Sequence, residues 1–127
     1  PEMLALLLQA APGRIALVTD AMAAAGMADG DYRIGSLDVR VEQGLPRLAG
    51  GDSIAGSTLT LDAALRFAVR EAGLALPDAV DALTRTPARA LGRADLGALE
   101  AGFAADAVLL GPDLEVRRVW GAGRELA

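Results

Sequence analysis

The sequence predicts an α/β protein, and three features of its patterning lead to that class. Apolar residues recur at helical spacing over residues 61–72. The short, branched apolar run Ile15–Thr19 has the length and composition of a strand buried on both faces. Residues 32–48 alternate between apolar and polar side chains, which is typical of half-buried antiparallel strands. The length of 127 residues fits a single domain.

The composition excludes several classes of function. The chain carries 12 basic and 17 acidic residues, for a net charge of −5 at pH 7, which disfavours a nucleic-acid partner. It contains no cysteine and no histidine, so thiolate chemistry, disulfides and the commonest general base and metal ligand are all excluded. No apolar run reaches the roughly 18–20 residues that span a bilayer, so we expect a cytoplasmic protein with no membrane partner.

The first half of the chain predicts a helix, a strand and a small antiparallel sheet. Residues 1–11 consist of helix formers and end at Pro12-Gly13. The predicted strand Ile15–Thr19 follows, with Asp20 at its carboxyl end. Three short antiparallel strands are expected at 32–34, 37–41 and 45–48, separated by turns.

The second half predicts three helices and two strands. Residues 50–57 form a loop into the helix 61–72, which Ser57 or Thr58 could cap and Gly73 could end. A second helix is predicted near Pro77. The third is predicted from a capping threonine, a proline at the first helical position and a terminal glycine: Thr86, Pro87 and Gly92. The strands are expected at 107–110 and 116–120.

The predicted strand Ile15–Thr19 has no partner in the sequence. A parallel neighbour requires a crossover of a dozen or more residues that returns to the same sheet. The segments after Asp20 predict antiparallel strands and helices instead. We therefore expect the partners of this strand to lie outside the 127 residues.

Few residues are candidates for chemistry from their position alone. Asp20 could be a catalytic carboxylate at the end of a barrel strand, although its spacing favours a helix cap. The loop Gly50–Ser57 could cradle a phosphate, but it lacks the lysine of a phosphate-binding loop and is better interpreted as a flexible connection. Asp106 is expected to make a turn hydrogen bond.

Five segments, in order, resemble N-acetylglucosamine-6-phosphate deacetylases of the amidohydrolase superfamily. The first segment resembles the strand-end motif of that family and the second its short hairpin. The third resembles its substrate loop with the following helix, and the fourth its helix that starts with a proline. The fifth resembles the place where the chain re-enters the small β domain. They are Leu17–Gly26 (LVTDAMAAAG), Asp29–Gly35 (DGDYRIG), Ile54–Asp62 (IAGSTLTLD), Thr86–Gly92 (TPARALG) and Gly97–Leu110 (GALEAGFAADAVLL).

The resemblance implies a fold for the chain within a larger protein. It implies the C-terminal part of a (β/α)8 TIM barrel, with the last strand and its helices, plus part of the small β-sandwich domain. Residues 1–92 would belong to the barrel, with a β-hairpin insert at about 31–48, and residues 93–127 to the sandwich. The orphan strand would then be the last barrel strand.

The resemblance also implies a reaction. It implies hydrolysis of N-acetylglucosamine 6-phosphate to glucosamine 6-phosphate and acetate, with Asp20 as general base and acid and with Ile54, Ala55 and Gly56 contacting the sugar. A divalent metal, zinc or similar, would be held by ligands outside this chain, so the chain alone is expected to be inactive. The full-length enzyme is expected to be a homodimer that binds a phosphorylated amino sugar.

Two other interpretations remain open at this point. The chain could be a segment of another amidohydrolase, such as an N-acetylgalactosamine-6-phosphate deacetylase or a deaminase. It could instead be a non-catalytic, stand-alone domain that assembles through exposed sheet edges, since an unpaired strand invites pairing with another chain.

Overall fold

The computed structural model describes residues 1–126, which form four helices and six strands. None of the described helices is long and apolar enough to cross a membrane. The helices are α1 (Glu2–Ala10), α2 (Leu61–Arg70), α3 (Leu76–Leu83) and α4 (Arg85–Ala90). The strands are β1 (Gly30–Ile34), β2 (Leu37–Glu42), β3 (Leu45–Leu48), β4 (Ala107–Leu110), β5 (Val116–Gly121) and β6 (Arg124–Glu125).

The chain divides into two compact units. One contains Pro1–Leu17 and the chain from Leu65 onward, and the other is Val18–Ala64. The predicted division into a barrel part, 1–92, and a sandwich part, 93–127, refers to a larger protein and stays a prediction.

The unit Val18–Ala64 contains an antiparallel sheet in the order β1-β2-β3. Its alternating pattern separates two faces: Val39 and Val41 are 1% and 2% exposed, whereas the intervening Arg40 is exposed. Asp29 organises the β2–β3 turn, because its carboxylate accepts hydrogen bonds from the N–H groups of Gln43 and Gly44, the latter at 3.0 Å. The predicted three-stranded element is therefore confirmed.

The core of the other unit lies between α2 and α3. Leu65 and Ala68 of α2 are buried against Ala79 of α3, and partly buried leucines and a valine pack around them. Gly73, with φ of +70°, follows α2 where the helix was predicted to end. At the start of α2, the N–H of Ala64 donates to the carbonyl of Thr60. The helix therefore begins after Thr60, and the prediction that Ser57 or Thr58 caps it is wrong.

The helix predicted to start at Pro87 begins two residues earlier. Thr84 is its N-cap residue, and Thr86 is buried inside the first turn rather than capping it. The predicted end is confirmed: Gly92 has φ of +69°, its N–H donates to the carbonyl of Arg89, and the N–H of Arg93 donates to the carbonyl of Ala88. This pair of bonds is the Schellman motif that a C-terminal glycine permits.

Residues 15–19 do not form the predicted strand. The structure assigns them no regular secondary structure, and the N–H of Leu17 donates to the carbonyl of Ala82 at 2.8 Å. A β-strand is defined by hydrogen bonds to a neighbouring strand, and no strand of the described residues pairs with this segment. The prediction of a strand at 15–19 is wrong for the described residues as they stand, whereas its place as the last barrel strand of a larger protein stays a prediction.

The last sheet follows the sequence pattern closely. Strands β4, β5 and β6 pair antiparallel in that order, with an irregularity between Leu109 and Leu110. The expectation of a local turn hydrogen bond at Asp106 is wrong, because its Oδ1 accepts instead from the N–H of Ala122, 16 residues further along the chain, at 2.8 Å.

Candidate active site

Asp20 has an unusual backbone conformation in the unit Val18–Ala64. Its φ is +51°, a left-handed value that is uncommon outside glycine. The residue is exposed, and its carbonyl accepts a hydrogen bond from the N–H of Ser57 at 2.8 Å. The interpretation as a helix cap is not supported, because no regular helix follows Asp20.

The loop that contains the predicted sugar contacts is attached to the edge of the first sheet. Ile54 forms an isolated antiparallel bridge with Arg47 of β3, and the N–H of Ala55 donates to the carbonyl of Pro46 at 3.0 Å. The side chain of Ile54 is 64% exposed. The loop is therefore held by the sheet while this apolar side chain faces solvent.

Gly56 brings this loop against Asp20. A Cβ atom at residue 56 would lie 3.0 Å from the carbonyl oxygen of Asp20 and 3.4 Å from Cβ of Met22. Its φ of +73° also lies in the left-handed region. Glycine is favoured here by both conformation and space, because the chain around Asp20 occupies the position that a Cβ atom would approach. Two segments more than 30 residues apart in sequence thus meet at one place.

Ser57 joins the two segments, and this role was not predicted. Its N–H donates to the carbonyl of Asp20, its carbonyl accepts from the N–H of Met22 at 2.8 Å, and Ala21 forms a parallel bridge with it. Its Oγ donates to the carbonyl of Thr19. The sequence offered only the neighbouring glycine as a sign of close approach, and Ser57 itself was considered as a helix cap.

The described residues do not form a metal site by themselves. They contain no group of three acidic, histidine or cysteine side chains close enough to hold an ion, and the sequence has no histidine or cysteine. Asp20 is thus a single carboxylate beside a backbone junction. A carboxylate is chemically able to exchange a proton with water or an amine, and the described part of the chain supplies no further donors beside it for a divalent cation.

Comparison with known proteins identifies the family. The model of the amidohydrolase family matches residues 4–126, which is nearly the whole chain. The chain belongs to this family, whose members are hydrolases and generally depend on metals. The resemblance found in the sequence is thereby confirmed.

Its relatives within the family include amino-sugar-phosphate deacetylases. The chain is 40% identical over 125 residues to N-acetylgalactosamine-6-phosphate deacetylase of Escherichia coli O157:H7, covering 98% of this chain and 33% of that protein. It is 38% identical over 112 residues to N-acetylglucosamine-6-phosphate deacetylase of Vibrio furnissii, covering 87% of this chain and 28% of that enzyme. A relative in Escherichia coli K12 is 40% identical over 125 residues, 98% of this chain, and 74% of its length is covered.

Solved structures agree with this assignment. An N-acetyl-D-glucosamine-6-phosphate deacetylase variant of Mycobacterium smegmatis, in complex with N-acetyl-D-glucosamine-6-phosphate, matches 97% of this chain with a TM-score of 0.87 and 43% identity. The enzyme of Pasteurella multocida matches 98% with a TM-score of 0.91 and 26% identity. In both, the match covers 33% of the other chain. The described fold thus corresponds to about a third of the length of each of these two enzymes.

Proposed function

We propose that this chain is the C-terminal part of a deacetylase that hydrolyses N-acetylglucosamine 6-phosphate to glucosamine 6-phosphate and acetate. In this proposal it supplies the last barrel strand with its helices and part of the β-sandwich. The observation that carries the proposal is the junction of Asp20 with the loop 54–57, made by the 2.8 Å hydrogen bond from Ser57 and the close approach of Gly56. The contact between the backbone of Asp20 and this loop supports a common site for the proposed proton carrier and the proposed sugar contacts.

Asp20 performs the proton transfers of the proposed reaction. Its carboxylate accepts a proton from the water whose oxygen attacks the amide carbonyl carbon. It then returns this proton to the amide nitrogen as the carbon–nitrogen bond breaks, so the amino sugar leaves as an amine. The acyl group leaves as acetic acid and becomes acetate when the second proton of the water passes to solvent. Because Asp20 is exposed in this chain, its carboxylate is accessible to both water and substrate.

The loop 54–56 contacts the sugar in this proposal. The exposed side chain of Ile54 offers an apolar surface to the ring. The N–H of Ala55 already donates to the carbonyl of Pro46, so contacts of this residue with the substrate must use its other groups. The sheet attachment of the loop limits its motion, which favours a fixed orientation of the substrate.

The metal dependence of the family requires ligands that residues 1–126 do not provide. We therefore propose that the isolated chain is inactive and that the divalent metal, zinc or similar, is held by other parts of the full-length enzyme. Asp20 is the contribution of this chain to the reacting centre.

The test compares Asp20→Asn with the unmodified full-length enzyme. The amide retains the shape of the side chain but cannot accept the proton, so kcat should fall by roughly 10²- to 10⁴-fold while metal content stays unchanged. Asp38→Asn, at an exposed acid of the same unit that pairs with Arg33, is the matched control. An Asp20→Asn enzyme with near-normal kcat rejects the proton-transfer role, and turnover by the isolated chain with added zinc rejects the dependence on outside ligands.

A second substrate is favoured by one finding. The 40% identity to an N-acetylgalactosamine-6-phosphate deacetylase lies between the 43% and 38% identities to the glucosamine-type enzymes of Mycobacterium smegmatis and Vibrio furnissii. Measuring kcat/KM for both epimers decides between them, and the larger value identifies the substrate.

The homodimer, the cytoplasmic location and the absence of nucleic-acid and membrane partners stay predictions. The comparisons favour the deacetylase over a deaminase or an assembly domain.

A further inference from the structure

We infer that Ser57 is a positioning residue that sets the backbone conformation, and hence the carboxylate direction, of Asp20. This inference rests on the proposed function, because it assigns a role within the same site. Ser57 is 37 positions further along the sequence and is half-buried.

Ser57 contacts both peptide groups that meet at the Cα atom of Asp20. Its Oγ donates to the carbonyl of Thr19, which belongs to the peptide group before Asp20. Its N–H donates to the carbonyl of Asp20, which belongs to the peptide group after it. Rotations of these two peptide groups about Cα are the φ and ψ angles of Asp20. A single residue therefore restrains both angles.

The restraint matters because the conformation of Asp20 is unfavourable. At φ of +51°, the Cβ atom of an L-residue is crowded by its own backbone. A residue in this region keeps its conformation only when surrounding contacts hold it there. Since φ sets the direction of the Cα–Cβ bond relative to the chain, losing the restraint would turn the carboxylate away from its position.

Ser57 is itself held in place on both sides. Its carbonyl accepts from the N–H of Met22, and its Oγ accepts from the N–H of Leu59 at 3.1 Å. The following residue, Thr58, donates from its hydroxyl to the carbonyl of Gly44 at 2.6 Å. Because a lone pair of the Ser57 hydroxyl is used by Leu59, its proton remains directed toward Thr19.

The experiment measures kcat, KM and thermal stability of the full-length enzyme with Ser57→Ala, and uses Ser36→Ala in the exposed β1–β2 turn as control. We expect Ser57→Ala to lower kcat by roughly 10- to 100-fold, because a catalytic group displaced by about an ångström loses rate on this scale. KM should change little, and the control should match the unmodified enzyme.

A pair of variants of equal shape separates the hydroxyl from packing. Ser57→Thr keeps the hydroxyl, whereas Ser57→Val has a methyl group in its place. Threonine and valine have nearly the same volume, so both variants carry the same strain from being larger than serine. A higher kcat in the threonine than in the valine variant supports the inference, even if Ser57→Ala does not fold. Equal kcat in this pair, or normal kcat in a folded Ser57→Ala enzyme with a lower melting temperature, overturns it. If the unmodified enzyme has no deacetylase activity, the proposed function fails instead.

Discussion

Replacing Gly56 with alanine tests the junction between the loop and Asp20. The new alanine would have to adopt a left-handed φ of +73°, which costs about 1 kcal/mol for a residue with a Cβ atom. It would also press on the backbone oxygen of Asp20 at 3.0 Å and on Met22 at 3.4 Å. Forcing an extra methyl group into a filled space costs about 1–3 kcal/mol. We expect a total loss of about 2–4 kcal/mol.

Gly26→Ala is the matched control for this change. Gly26 lies in the same unit and has a φ of +76°, but nothing lies within 4 Å of a Cβ atom there. It should show only the conformational cost of about 1 kcal/mol. Urea denaturation of both variants, followed by circular dichroism, gives the two free energies of unfolding. Equal losses in the two variants would refute the close contact at Gly56, whereas a larger loss at Gly56 measures it.

Two further predictions concern stability. Gly97→Ala should lower the melting temperature more than Gly102→Ala. A Cβ atom at residue 97 would lie 2.8 Å from the carbonyl oxygen of Thr84, whereas residue 102 has open space at a similar positive φ. Equal shifts in melting temperature would contradict this close packing at residue 97. A hydrogen bond from Arg40 lowers the pKa of the Asp31 carboxyl in the folded protein. The pair therefore stabilises the folded protein fully above the unfolded-state pKa of this carboxyl. The stabilisation is lost as the pH falls through the lowered pKa of the folded state. Asp31→Asn should therefore reduce the difference in melting temperature between neutral and acid pH, and an unchanged difference would count against the pair.

The elements that the sequence predicted well are those specified by near neighbours. The alternation over residues 38–41 matches the buried and exposed faces of β2, although Leu37 at its start is exposed, and Gly92 ends α4 with the expected hydrogen bonds. The start of α4 was misplaced because a threonine before a proline is a common start signal, whereas here α3 leads directly into the next helix at Thr84. Residues 15–19 form no strand because no strand of the described residues pairs with them, and an apolar run cannot supply that partner by itself.

The candidate site was predictable only in part. Asp20 was singled out by its position after an apolar run and by a resemblance, Gly56 by the resemblance, and the structure brings their backbones together. The role of Ser57 was not accessible from local patterns, since its hydroxyl bonds to a carbonyl 38 residues away. Capping rules consider only the adjacent helix, so they directed attention to the wrong partner for this side chain.

The sheet β1-β2-β3 has consequences for how the protein behaves at high concentration. The edge formed by β3 is occupied by the chain's own residues, because Ser53 and Ala55 bond to Leu48 and Pro46. The opposite edge strand, β1, carries Asp31 and Arg33, both exposed. Charged side chains on an edge oppose the addition of a foreign strand. This sheet is therefore a poor template for fibril growth at either of its edges.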